Sequence, residues 1–76
     1  MTYYLRFENE VLLGIDEFAG ATNIVVSTIK GTTTGLQVMA FTTRADAENF
    51  KQKYYIGLRN FTVSNNLEYE QPPSSN

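Results

Sequence analysis

The chain has 76 residues and a formal net charge of −2, and it contains no histidine, no cysteine and no tryptophan. These absences exclude Ser–His and Cys–His nucleophile pairs and the ordinary zinc site, and they leave no side chain that titrates near neutrality at its unperturbed pKa. The acidic balance also argues against a protein whose affinity comes from neutralising phosphates. A chain this short buries only about 60% of the surface its unfolded form exposes, and disulfides and zinc are closed to it as supplements.

From Thr2 to Glu8 the residues alternate, with Tyr3, Leu5 and Phe7 on one face and Tyr4, Arg6 and Glu8 on the other, which predicts a half-buried strand. Asn9-Glu10 reads as the turn of a hairpin into a short strand, Val11-Leu12-Leu13. Between Gly14 and Asn23 two readings stand: a single helical turn capped by Asp16 and ended by Gly20, or a loop. Residues 24–29 (Ile-Val-Val-Ser-Thr-Ile) are rich in β-branched side chains and predict a strand. Gly31 to Gly35 reads as a turn, and residues 36–41 as the return strand of an antiparallel hairpin with 24–29.

Thr43-Arg44-Ala45-Asp46 has the form of a capping box and predicts a helix over about 43–55. Its buried stripe would be Ala47, Phe50 and Tyr54, and Gly57 would terminate it. Asp46 and Glu48 near its start and Lys51 and Lys53 near its end complement the macrodipole. Residues 60–64 read as a last strand, Asn65-Asn66 as a turn, and 67–70 as a short edge strand or extended arm. Residues 71–76 have the composition of a disordered tail. The expected fold is therefore α+β: residues 1–70 form one domain, an antiparallel sheet of four to five strands in the order β(β)ββαβ, with one helix packed on one face.

A lone helix of about three turns cannot cover both faces of such a sheet, yet both parities of the predicted central hairpin are apolar. One set is Ile24, Val26, Leu36, Val38 and Ala40; the other is Val25, Ile29, Met39 and Phe41. The functional reading is a docking patch of Tyr4, Val25, Ile29, Met39 and Phe41 for a second copy or another protein. The competing reading folds Val11-Leu12-Leu13 and Phe18 over that face to complete an ordinary core. A second candidate interface is the basic and aromatic cluster Lys51, Tyr54, Tyr55 and Arg59, with Lys53 beside it, although helix-end electrostatics account for the lysines equally well.

Other chemistries find less support. Tyr3, Tyr4 and Phe7 with Arg6 and Lys30 would be the ingredients of a single-strand nucleic-acid platform, but no RNA-binding sheet motif is present. Asp16 with Glu17, or Glu8 with Glu10, would be the only paired carboxylates for a small hydrolase, and a domain of this size has little room for the cleft they need. Asn60-Phe61-Thr62 matches a glycosylation acceptor by coincidence, since Phe61 reads as a strand core residue. No basic start followed by an apolar run suggests a signal peptide, and no apolar run approaches a membrane span, so a cytoplasmic location is expected. The sequence thus predicts a non-catalytic module that binds a protein partner or itself, as a homodimer or as a modulator or inhibitor of a larger complex, of a size common among phage-encoded regulators. It predicts no cofactor, no metal and no membrane association, and it disfavours nucleic acid as a partner.

Overall fold

The protein is described from a computed structural model, which covers residues 1–30 and 37–69. In chain order the elements are β1 (Tyr4–Phe7), β2 (Glu10–Phe18), β3 (Ala21–Thr28), α1 (Arg44–Lys53), α2 (Tyr55–Leu58) and β4 (Thr62–Ser64). The strands form an antiparallel sheet in the order β3-β2-β1-β4, so the fold is α+β with the helical segments on one face. The tail expected at 71–76 and the turn expected at Gly31–Gly35 lie outside the described residues.

The long hairpin of the sheet is β2–β3, and it replaces the pairing of 24–29 with 36–41 that the sequence predicts. It turns at Ala19 and Gly20, both with positive φ (55° and 81°), which is the type I′ signature whose twist matches that of the flanking strands. Gly20 therefore closes a hairpin, and Gly14–Asn23 is neither a helical turn nor a loop. The ladder runs from Glu10↔Thr28 to Phe18↔Ala21 with a register shift between Leu12 and Gly14. That bulge hides the strand from a period-2 reading, because one inserted residue moves later side chains to the other face. Leu12 pairs with Val26 and Ile15 with Ile24 on the helix side, while Gly14 pairs with Val25 on the other.

Residues 37–41 instead lie against β1 and β2. The Met39 N–H donates to the Leu12 carbonyl (3.1 Å), and Tyr3 and Phe41 exchange two backbone hydrogen bonds (2.9 and 2.8 Å) in an isolated bridge. This contact satisfies backbone groups near the bulge that β1, paired to β2 only at Arg6↔Val11 and Phe7↔Glu10, does not reach.

Helix α1 starts as its sequence dictates. The Thr43 hydroxyl accepts a hydrogen bond from the Asp46 N–H (3.1 Å), which satisfies one of the orphan donors of the first turn. The helix ends at Tyr54 (φ −116°, ψ 44°), and the chain then makes the single turn of α2. Gly57 sits inside α2, so it does not terminate α1. A Cβ there would collide with the Ile24 side chain, so glycine permits the close approach of α2 to β3.

The core lies between the helices and one sheet face. Leu5, Leu12, Leu58 and Phe61 are its buried centre. Phe41, Phe50 and Tyr54 pack onto it as a run of tilted rings, with centroids 5.4 Å apart for Phe41–Phe50 and 4.9 Å for Phe50–Tyr54. The expected stripe Ala47, Phe50, Tyr54 does face this core, Ala47 being fully buried.

The other sheet face is closed at one end by the chain itself. Arg6, cross-strand from Val11 and Thr62, is only 5% exposed. Its guanidinium donates to the Glu8 carbonyl through Nε and Nη2 (3.1 and 2.8 Å). Nη1 donates to the Asn66 carbonyl and Oδ1 (3.2 and 3.0 Å), and Nη2 also donates to the Glu68 carbonyl (3.0 Å). These bonds fasten residues 65–69 across that face, and Lys30 Nζ stands 4.1 Å from the centre of the Tyr69 ring. Residues 67–69 are thus an irregular strap, not an edge strand.

Candidate protein-docking site

The two edges of the sheet differ. β4, on one side, has three residues, and a short edge offers little to a passing strand. β3, on the other, has eight: Ala21, Thr22, Asn23, Ile24, Val25, Val26, Ser27 and Thr28. It carries no charge, no proline and no bulge of its own, the devices that normally protect an edge. Between Ala21 and Val26 its outer side takes no hydrogen bond from any described residue. A two-residue hairpin loop makes Phe18–Ala21 a hydrogen-bonded pair, so alternation turns the N–H and C=O groups of Thr22 and Ile24 away from β2.

Beside this edge runs a groove of about 410 Å³, lined by Thr22 and Ile24 of β3, by Gln52 and Lys53 of α1, by Tyr54, and by Tyr55, Ile56 and Gly57 of α2. Its rim is apolar and wet. Ile56 is 88% exposed and Tyr55 53% exposed, while Lys53 Nζ lies 5.4 Å from the centre of the Tyr54 ring. Across the strand, on the far face of the sheet, Val25 is 41% exposed, and Phe18 stands 75% exposed at the hairpin tip. Apolar surface therefore flanks the β3 edge on both sides.

The structure redistributes the residues that the sequence singles out. Ile29, at 3% exposure, is core, and Met39 and Phe41 pack against the buried cluster, so the expected patch of Tyr4, Val25, Ile29, Met39 and Phe41 does not assemble. The reason is topological: with 37–41 displaced from β3, the two strands no longer share a face. Val25 alone of that set remains well exposed, and Tyr4 is half-buried beside Ser64 on β4. Of the second cluster, Tyr54 and Tyr55 line the groove with Lys53, whereas Lys51 is half-buried and Arg59 lies exposed outside it.

Arg6 is committed to carbonyl oxygens, and Arg44 stands 5.3 Å from the Tyr3 ring centre, so the aromatic and basic residues of β1 are engaged within the fold. Asp16 and Glu17, successive on β2, point to opposite faces and share no cleft. Among the described residues no cluster of three or more acidic, histidine or cysteine side chains could hold a metal ion, and no helix is long and apolar enough to cross a membrane.

Sequence reasoning missed Ile56, Thr22 and Gln52. Ile56 carried a signal: it falls off the 47/50/54 stripe, and an apolar residue off the buried face of a helix is a candidate for contact elsewhere. Compared with known proteins, the chain matches no family, and no curated protein or solved structure shows significant similarity to it.

Proposed function

We propose that this chain is a non-catalytic protein-binding module that takes its partner along the β3 edge and the adjoining groove. The observation that carries the reading is an uncharged edge strand whose outer side takes no hydrogen bond from any described residue between Ala21 and Val26, set against a groove whose rim leaves Ile56 88% exposed. An extended segment added to such an edge gains main-chain hydrogen bonds, and the groove supplies pockets for its alternate side chains. Ile56 and Tyr55 would be the anchors, since burial of about 25 cal/mol per Å² of apolar surface is available only where that surface is still wet. The mode of action is occupancy, as a small modulator of a protein assembly. A cytoplasmic place of action goes with it, because a cysteine-free chain draws nothing from an oxidising compartment.

The test is capture of binding proteins from an extract of the native cells, with wild type, Ile56→Lys and Thr22→Pro as baits. Proline at Thr22 removes an outward N–H without touching the pairing to β2. Proteins retained by wild type and lost from both variants support the site. Identical sets on all three baits, from variants shown to be folded, refute it.

A further inference from the structure

The β3 sequence suggests what occupies the edge. From Thr22 to Thr28 it reads Thr-Asn-Ile-Val-Val-Ser-Thr, which is two polar residues, three apolar and two polar, symmetric in class about Val25. A strand laid antiparallel to an identical strand meets its own sequence reversed, so such symmetry brings like classes of residue together in a self-pairing. With a two-fold axis through Val25, perpendicular to the sheet, Thr22 faces Thr28 of the second copy and Asn23 faces Ser27. Ile24 faces Val26, and Val25 faces itself. Every apolar residue meets an apolar one, and no charge enters the ladder.

The backbone agrees with this register. Ile24 turns its N–H and C=O outward, and by alternation Val26 does the same, so Ile24 with Val26 of the second copy, and the symmetric pair, exchange about four hydrogen bonds. Val25 bonds inward, toward Gly14, and therefore takes a non-hydrogen-bonded position across the axis, where cross-strand side chains come closest. Its side chain opposes a glycine on β2 and is 41% exposed, so a second valine has room to pack there. We infer that β3 pairs antiparallel with β3 of a second copy about Val25, which joins two sheets into one continuous sheet. This rests on the reading of β3 as a docking edge and names its occupant as the same chain.

Three variants of the full chain test it. Val25→Cys, in a protein with no other cysteine, is expected to form a disulfide-linked dimer readily under mild oxidation, since the Cα separation at a non-hydrogen-bonded pair, about 4.5 Å, lies within disulfide reach. Asn23→Cys faces Ser27 rather than itself and is expected to cross-link poorly. Val25→Lys places two like charges across the axis and is expected to weaken the dimer seen in sedimentation equilibrium by about tenfold or more, with the unfolding midpoint of the dilute protein unchanged.

Wild type that stays monomeric at about 1 mM, the weak end of specific association, overturns the inference. So does a dimer that survives Val25→Lys, or an Asn23→Cys variant that cross-links more readily than Val25→Cys. A monomer that still retains proteins through Ile56 overturns the second copy but leaves the docking reading standing. A monomer that retains nothing overturns both.

Discussion

Arg6→Met keeps the apolar stem of a side chain that is only 5% exposed and removes the guanidinium with its five hydrogen bonds among the described residues. Three backbone carbonyls lose a charged donor: Glu8, Asn66 and Glu68. Bonds to charged groups contribute about 1.5–3 kcal/mol each, but Glu8, Asn66 and Glu68 are all exposed and their oxygens regain water, so about 1 kcal/mol per carbonyl is the appropriate figure. The expected loss is about 3 kcal/mol, against a total stability of about 4–11 kcal/mol for a chain of this length. In thermal terms that is a drop of about 12–24 °C. Urea unfolding followed by circular dichroism measures it, and hydrogen exchange should show lost protection of any slow amides in 65–69, because their anchor is gone. Arg6→Lys should fall between wild type and Arg6→Met, since an ammonium cannot reproduce the planar fork that serves Glu8 and Glu68 together. A stability of Arg6→Met within about 0.5 kcal/mol of wild type, the range of inert surface changes, would refute the reasoning.

Thr43→Ala removes the acceptor for the Asp46 N–H and should cost about 1 kcal/mol in the same urea assay; no change would mean that water replaces the cap without loss. Ala19 holds φ 55° in the hairpin turn, which disfavours any residue with a Cβ by roughly 1 kcal/mol, so Ala19→Gly should raise the melting temperature by several degrees. An unchanged or lower value would show that the turn is not strained there. Ile29→Lys buries an ammonium at a position that is 3% exposed and should unfold the protein or destabilise it by more than about 3 kcal/mol, as judged by near-ultraviolet circular dichroism. A folded Ile29→Lys protein would return this residue to the surface, where the sequence pattern alone places it.

An unprotected edge strand is a hazard for a free protein, because strand addition continues until something caps it. Here the opposite edge ends in three-residue β4, and the second face near Arg6 is strapped by residues 65–69, which leaves β3 as the long open edge among the described residues. Pairing about a two-fold axis closes that edge, whereas head-to-tail addition would propagate it. The symmetric register through Val25 therefore accounts for how an uncharged edge can persist in a protein of only 76 residues.

Local chemistry was legible in the sequence because it depends on neighbours a few residues apart. The Thr43 cap, the Ala47/Phe50/Tyr54 stripe, the strand at β1 and the α+β class all follow from short-range spacing, and all appear in the fold. The pairing partner of Ile24–Val26 did not follow, since several apolar strands could satisfy it. The bulge at Leu12/Gly14 and the acidic pair Asp16-Glu17 masked the strand that wins. Arg6 looked like a solvent-facing residue from its alternation, and only the return of residues 65–69, some 60 positions later, buries it. Composition excluded imidazole and thiol chemistry and the class symmetry of 22–28 was written in the chain, but that β3 lies at an edge was decided by tertiary structure, because burial and strand order depend on contacts between distant segments that no local pattern specifies.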